Sequence, residues 1–303
     1  LTLPWWAVEV SLADYVTSRI PEQAEYIWGL LKEPARRRRW VLQFDSLIQK
    51  TLLEALAVGL PVQLEEWLTF SKPLDTHKAR EIYWEVCWEL SFEREKSPED
   101  WWRKLVELSY RKDQQDLNLE IAPNVPSLVK TKSAIDSEGI YVPLAGIVLV
   151  HPFLQTFFNR VGLTREEAFI DPDTQESAVH VLYFIATRQE HPDEQELAVL
   201  KLLCGWELQA PIAKYIDLTA NEKEQAEGML QALIGQWSAL EGSTTEELRG
   251  SFFIREGKLK TADLGWHLTV EKKSYNLLMN ILSWELSPIQ YPWMEKMFWV
   301  DWA

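Results

Sequence analysis

Several things are scarce in this sequence, and each scarcity excludes something. Only two cysteines, Cys87 and Cys204, occur in 303 residues. They lie far apart and outside any C-x-x-C spacing, which argues against a disulfide scaffold or a thiolate metal site and fits a reducing compartment. Basic charge is short as well: 31 Lys and Arg stand against 46 Asp and Glu, a net charge of −15. Long-range attraction to phosphates is therefore disfavoured, and no nucleic acid partner is expected. Long apolar runs are missing. The stretch from Pro143 to Phe158 is broken by His151, Pro152 and Gln155 and falls short of the roughly 20 residues that a bilayer span needs, so no membrane span is expected. The chain opens at Leu1, without Met and without a signal-peptide pattern, and reads as a fragment or trimmed chain. No repeat of 20 to 50 residues is apparent, which disfavours a solenoid.

What is present describes a folded chain. Apolar residues make up 47% and charged residues 25%, the balance of a globular protein rather than a disordered one. The length suggests two domains. Sixteen residues are Trp; large side chains with one N–H donor read first as helix contacts in a core and second as a docking surface.

The expected fold is mainly α, with two helical domains, the second carrying a small antiparallel β-hairpin near its end. The first domain is assigned to residues 1–111. Its clearest helix places Trp40, Phe44, Leu47, Ile48, Thr51, Leu52 and Ala55 at a 3.6-residue period, after Pro34 and before Gly59-Leu60-Pro61. A second helix is expected from Thr76 to Phe92, with Trp84, Cys87, Trp88 and Ser91 on one face. A third opens at Ser97-Pro98 and carries Trp101, Trp102, Leu105 and Leu108. Residues 112–136 lose periodicity between Asp113 and Pro126 and are taken as a linker.

The second domain is assigned to residues 137–303. Helices are expected over Ala145 to Val161, Gln175 to Arg188 and Glu194 to Cys204, the last stopped by Gly205. A capping box of Thr219 with Glu222 opens a helix carrying Ala226, Met229, Leu230, Leu233, Ile234 and Trp237, and Ser243 with Glu246 repeats the device. The hairpin is expected to use Phe252 to Ile254, a turn at Glu256-Gly257-Lys258, and the alternating Trp266, Leu268 and Val270.

A search for chemistry returns little. There is no H-E-x-x-H, G-x-S-x-G, phosphate loop or dinucleotide fingerprint. His151 beside a helix start and His180 beside an apolar helix face read as packing residues. His191-Pro192-Asp193-Glu194 and Asp171-Pro172-Asp173 read as loops leading into helix N-termini, where acidic residues are favoured. Arg36 to Arg39 read as a solvated or partner-docking patch. Glu65-Glu66 and Glu246-Glu247 are adjacent, hence about 100° apart on a helix, and cannot converge alone on one substrate. Catalytic residues, metal ligands and cofactors are all expected to be absent.

The second half also carries a resemblance. Gly146-Ile147-Val148-Leu149-Val150-His151-Pro152-Phe153-Leu154, with Phe157-Phe158 and Gly162-Leu163, resembles the GLVLLHPFL signature of the contractile injection system tape measure proteins. Ala178 to Leu182 and Leu197 to Gly205, including Leu203 and Cys204, resemble later blocks of that family. So do Trp237 with Leu240, Leu248-Arg249, Phe252 to Gly257, Trp266 to Glu271, and Tyr291-Pro292-Trp293-Met294 with Val300 and Trp302. Ordered blocks from Gly139 to Trp302 are more specific than one motif. Leu3-Pro4-Trp5-Trp6 is similar to a further family element.

The resemblance implies a structural component of a phage-tail-like particle, lying in the inner tube and setting its length during assembly. The implied partners are the inner tube, the baseplate hub or spike, and sister copies. The implied setting is the bacterial cytoplasm, then the released particle. An α-helix rises 1.5 Å per residue, so even a wholly helical chain of this length reaches only about 450 Å. With 15 Pro and 12 Gly it is a poor rod, and a folded anchoring module is expected instead. The alternative is a helical adaptor or chaperone that holds an effector or assembly partner.

Overall fold

The computed structural model describes residues 12–56, 58, 64–70, 76–92, 101, 103–107, 139–262 and 265–302. The expected linker and the Leu3-Pro4-Trp5-Trp6 element lie outside these residues. The chain divides into two compact units, Leu1–Ser127 and Leu128–Ala303.

The first unit is helical: α1 Leu12–Leu31, α2 Pro34–Gln43, α3 Ser46–Ala55, α4 Leu64–Phe70 and α5 Thr76–Ser91. Residues 101 and 103–107 are also helical. Where one helix is expected through Trp40 and Ala55, there are two. Asp45 interrupts the apolar period, because its carboxylate accepts the Ile48 amide at 2.9 Å and starts a new helix. The break leaves carbonyls at the end of α2 with room for further donors, although that of Trp40 already accepts the Phe44 amide at 3.1 Å. Gln49, fully buried, supplies them: its amide donates to the carbonyls of Trp40 at 3.0 Å and Phe44 at 3.1 Å. Its oxygen accepts the Trp88 indole N–H at 2.6 Å.

Other indoles are tied in similarly. Trp84 donates to the Ser46 hydroxyl at 3.1 Å, and Trp67 to the Ala79 carbonyl at 2.7 Å. The expected face of α5 is buried, with Trp84, Cys87, Trp88 and Ser91 all inside. The arginine run meets acidic partners on its own unit, Arg36 with Glu33 and Arg38 with Glu81 and Glu85.

The second unit mixes helices with a four-stranded sheet. Its strands are β1 Ile140–Val142, β2 Thr164–Arg165, β3 Ala168–Phe169, β4 Gly257–Ala262, β5 Gly265–Val270 and β6 Met297–Trp302. Its α-helices are α6 His151–Val161, α7 Pro172–Thr187, α8 Ala198–Leu203, α9 Ala220–Gln236 and α10 Thr245–Leu248. The large sheet has the order β1-β4-β5-β6, and β2 with β3 forms a separate short pair. Strands β1, β4 and β5 pair antiparallel, while β6 joins β5 in parallel. A parallel neighbour needs a long crossover, and residues 271–296 provide it.

Several expectations are corrected here. The segment expected as one helix from Ala145 begins as a wholly buried 3₁₀ stretch, Ala145–Val150, and becomes α-helical at His151. Its six residues are all apolar or Gly, so it is covered on every side. The helix expected from Glu194 to Cys204 is split into a 3₁₀ turn, Glu194–Glu196, and α8. Gly205 follows in the left-handed region at φ +66. The Thr219–Glu222 capping box forms as its spacing implies, but the next box uses Thr244 with Glu247, one residue beyond Ser243 and Glu246.

The expected hairpin shifts too. Phe252 and Phe253 end a π-helical turn, Arg249–Phe253, rather than forming a strand, and Gly257 opens β4 instead of a turn. A π turn lets both Phe rings enter the core, which an alternating strand would not.

One core joins the elements of this unit. Residues Ala178–Ala186 of α7 are buried without interruption, so this helix runs through the middle. On the sheet, Leu259, Leu268, Val270 and Val300 face inward. Gly257 gives the 3₁₀ stretch room to approach: a Cβ there would stand 2.5 Å from that of Ala145.

Candidate functional site: a buried junction of sequence blocks

The residues singled out in the sequence gather where the crossover passes over two helix ends. His151, at the start of α6, hydrogen-bonds through Nε2 to the Glu285 carbonyl at 2.7 Å. Its own carbonyl accepts the Tyr291 hydroxyl. Trp293 donates its indole N–H to the Leu203 carbonyl, at the end of α8, at 3.0 Å. The Trp293 ring stacks on Tyr291 with centroids 4.7 Å apart and lies 5.2 Å from Phe169 and 6.0 Å from Phe158. Gly205 is required beside it, since a Cβ would lie 2.3 Å from the Trp293 carbonyl oxygen. Cys204 and Met294 are buried in the same core.

A second group sits behind the first. Trp237, fully buried, donates to the Leu278 carbonyl at 3.2 Å and packs on Phe252 at 4.8 Å. Gly146 lies against the Phe252 backbone. Trp284 joins the two groups, with Trp237 at 6.3 Å on one side and Phe153 edge-on at 5.6 Å on the other. Of the remaining expected residues, Pro152 and Pro292 are exposed. Trp266 and Trp302 belong to the sheet and are half-buried, with Lys296 over the Trp266 ring and Arg255 over that of Trp302.

Three buried cations fall outside the sequence expectations. Arg255 donates to the carbonyls of Ser251 at 2.8 Å and Glu271 at 2.9 Å, and to the Asn276 side chain at 3.0 Å. Arg249 reaches the Ile185 carbonyl at 2.9 Å and pairs with Glu227. Lys201 meets Glu194 and the Ala210 carbonyl, both at 2.7 Å. Lys201 lies in a short apolar stretch of sequence, Ala198 to Leu203, and a charge there must carry its own partners. For Lys201 that setting is the signal by which sequence could have found it.

The loop from Gly205 to Thr219 has almost no regular structure and is held by such side chains. His180 hydrogen-bonds the Ala213 carbonyl at 2.7 Å, Glu176 accepts the Ala213 amide at 2.6 Å, and Lys214 pairs with Asp193 at 2.6 Å. The arrangement fixes backbone. His151 and His180, the two rings read from the sequence as packing residues, both bond to main-chain carbonyls. Burial pushes the Cys204 thiol well up, which holds it in the protonated, unreactive form. It also raises the Tyr183 hydroxyl to about 12, with the Glu196 carboxylate adding to the shift. Among the described residues no group of three or more His, Cys, Asp or Glu forms a metal-binding set, and no helix is long and apolar enough to cross a membrane.

The sequence pattern of one family, contractile injection system tape measure protein, matches residues 109–302. The chain belongs to that family. Comparison with curated proteins and with solved structures gives no match. Membership makes the chain a component of a contractile injection system, in a family of structural proteins associated with the tube. The tape measure match takes in the whole junction and the whole sheet.

The latch at His151 carries a pH dependence. Burial holds this imidazole below its ordinary value of 6.5, against a smaller upward pull from the Glu285 carbonyl. Below about pH 6.5 the unfolded chain therefore binds a proton that the folded chain resists. Stability is full above that pH and is lost as pH falls toward the folded value. The melting temperature is expected to drop between about pH 7 and pH 5, and to drop less in His151→Gln, whose amide can still donate to Glu285. Equal slopes in the two proteins, measured by scanning calorimetry, would contradict this.

Proposed function

We propose that residues 137–303 are a folded anchoring module of a tape measure protein, attaching it to the tube, baseplate hub or spike, and not the shaft that sets length. The observation that carries this reading is the compactness of the unit. Its longest described α-helix, α9, has 17 residues, about 25 Å at 1.5 Å per residue, and it folds back on a shared core. A ruler must instead be extended. The motif residues serve this module by holding the crossover on the helix ends. In this reading residues 1–111 form a separate helical domain, joined by a linker over 112–136, and assembly takes place in the bacterial cytoplasm with self-association of copies in the tube.

Electron microscopy of particles tests the proposal. In-frame deletions in the full-length gene product outside both folded domains should shorten the tube by about 1.5 Å per residue removed, while deletion of 137–303 should abolish ordered tubes. Unchanged tube length in the first set would refute the ruler role of the protein, and normal tubes in the second would refute the anchor. The competing adaptor reading would gain from recovery of the intact protein outside particles, bound to an effector.

A further inference from the structure

We propose that the outer face of the four-stranded sheet docks, head to tail, on the acidic β2–β3 tip of a second copy of this chain. Register fixes the face. Opposite the inward Leu259, Leu268 and Val300, one outward row runs Tyr141, Lys258, Thr269 and Asp301, and the next runs Lys260, His267 and Trp299. Tyr141 is 76% exposed.

Charge points to the occupant. Across the helical part of the unit, lysines are matched: Lys201 to Glu194, Lys214 to Asp193, Lys223 to Glu190. Among the described residues the one carboxylate on the sheet face, Asp301, lies 3.0 Å from His267. Lys258 and Lys260 are left over among the described residues. Lys258 sits over the Tyr141 ring at 5.3 Å, and among the described residues neither lysine has a carboxylate within 4.0 Å. Unmatched lysines on a chain of net charge −15 form a local basic patch.

The complementary surface is on the same chain. Glu166, at φ 58, and Glu167 form the exposed turn between β2 and β3 and outnumber the exposed Arg165 beside them, and among the described residues neither glutamate has a cation within 4.0 Å. Ile170, 47% exposed, stands close by in sequence. Each surface thus joins unmatched charge to an exposed apolar side chain, and the charges are opposite. Because the two surfaces differ, the contact is heterologous and propagates from copy to copy.

The sheet face measures about 14 Å by 20 Å, on the order of 300 Å², well under the roughly 800 Å² per partner of a stable pair. Each contact is therefore weak and becomes effective where copies are held together. This inference rests on the self-association read above, and the two are separable by experiment.

Sedimentation of the full chain at high concentration in about 0.1 M salt should show reversible association that is lost in about 0.5 M salt, since short-range pairs survive the first condition and not the second. K258E/K260E alone and E166K/E167K alone should each associate about tenfold or more weakly. An equimolar mixture should recover association, because each reversed face then meets a reversed tip. A chain that stays monomeric throughout overturns self-association itself. Association undiminished in both variants, or no recovery in a mixture of variants that melt like wild type, overturns the assigned face and leaves self-association standing.

Discussion

Replacing Gly146 with alanine is expected to lower the stability of the C-terminal unit by about 3 kcal/mol or more, enough to leave a marginal domain largely unfolded. An added Cβ would lie 1.6 Å from the Phe252 carbonyl oxygen and 2.7 Å from its carbon. Both are backbone atoms of a buried π turn, so no side-chain rotation relieves the clash. The 3₁₀ stretch or the turn would have to move, and each is packed into the same core. Gly228 is the matching control. It sits inside α9, where an added methyl group would meet nothing within 4 Å, and Gly228→Ala should stabilise by roughly 0.5–1 kcal/mol, because alanine loses less backbone freedom in a helix. Scanning calorimetry on the two variants should give shifts of opposite sign. A Gly146→Ala protein melting like wild type would refute the close approach.

The loss of Trp237 should be comparable. The side chain is fully buried, packs on Phe252 and Trp284, and donates to the Leu278 carbonyl. Trp237→Ala is expected to cost about 3–5 kcal/mol through cavity formation and the stranded carbonyl. From sequence alone Trp266 has the same claim, but it is half-buried at the sheet margin. Trp266→Ala should therefore cost about 1–2 kcal/mol. Denaturant unfolding followed by hydrogen exchange of α9 and β5 amides separates these values. Equal losses would mean that the difference in burial does not govern stability here.

Gly146 and Trp237 mark how far sequence makes this fold legible. Local signals are readable wherever the partner lies within a few residues: the Thr219–Glu222 box is formed, and the α5 face is buried as its spacing implies. The break at Asp45 is hidden because the apolar period continues through it, although Asp followed by Ser is itself a helix-start signal. Gly146 and Gly205 stand out as motif residues without a visible reason, since the backbone each must admit, at Phe252 and Trp293, is remote in sequence. Strand β6 is unreadable for a similar cause. It pairs in parallel across a long crossover, and Met297 to Val300 are continuously apolar instead of alternating. The buried Arg255 becomes intelligible only when its carbonyl partners from separate elements are in place.

The parallel closure by β6 also sets a timetable for synthesis. Strand β5 lacks one neighbour, and the ends of α6 and α8 lack their cover, until the residues up to Trp302 have left the ribosome. At 5–20 residues per second, roughly 8 to 30 s separate the emergence of β1 from that of β6. Throughout that interval the apolar Ala145–Val150 stretch is without its final surroundings, and the lysine-bearing strand β4 belongs to an unfinished sheet. A chain cut short before β6 would therefore lack both the parallel edge of the sheet and its pairing with β5.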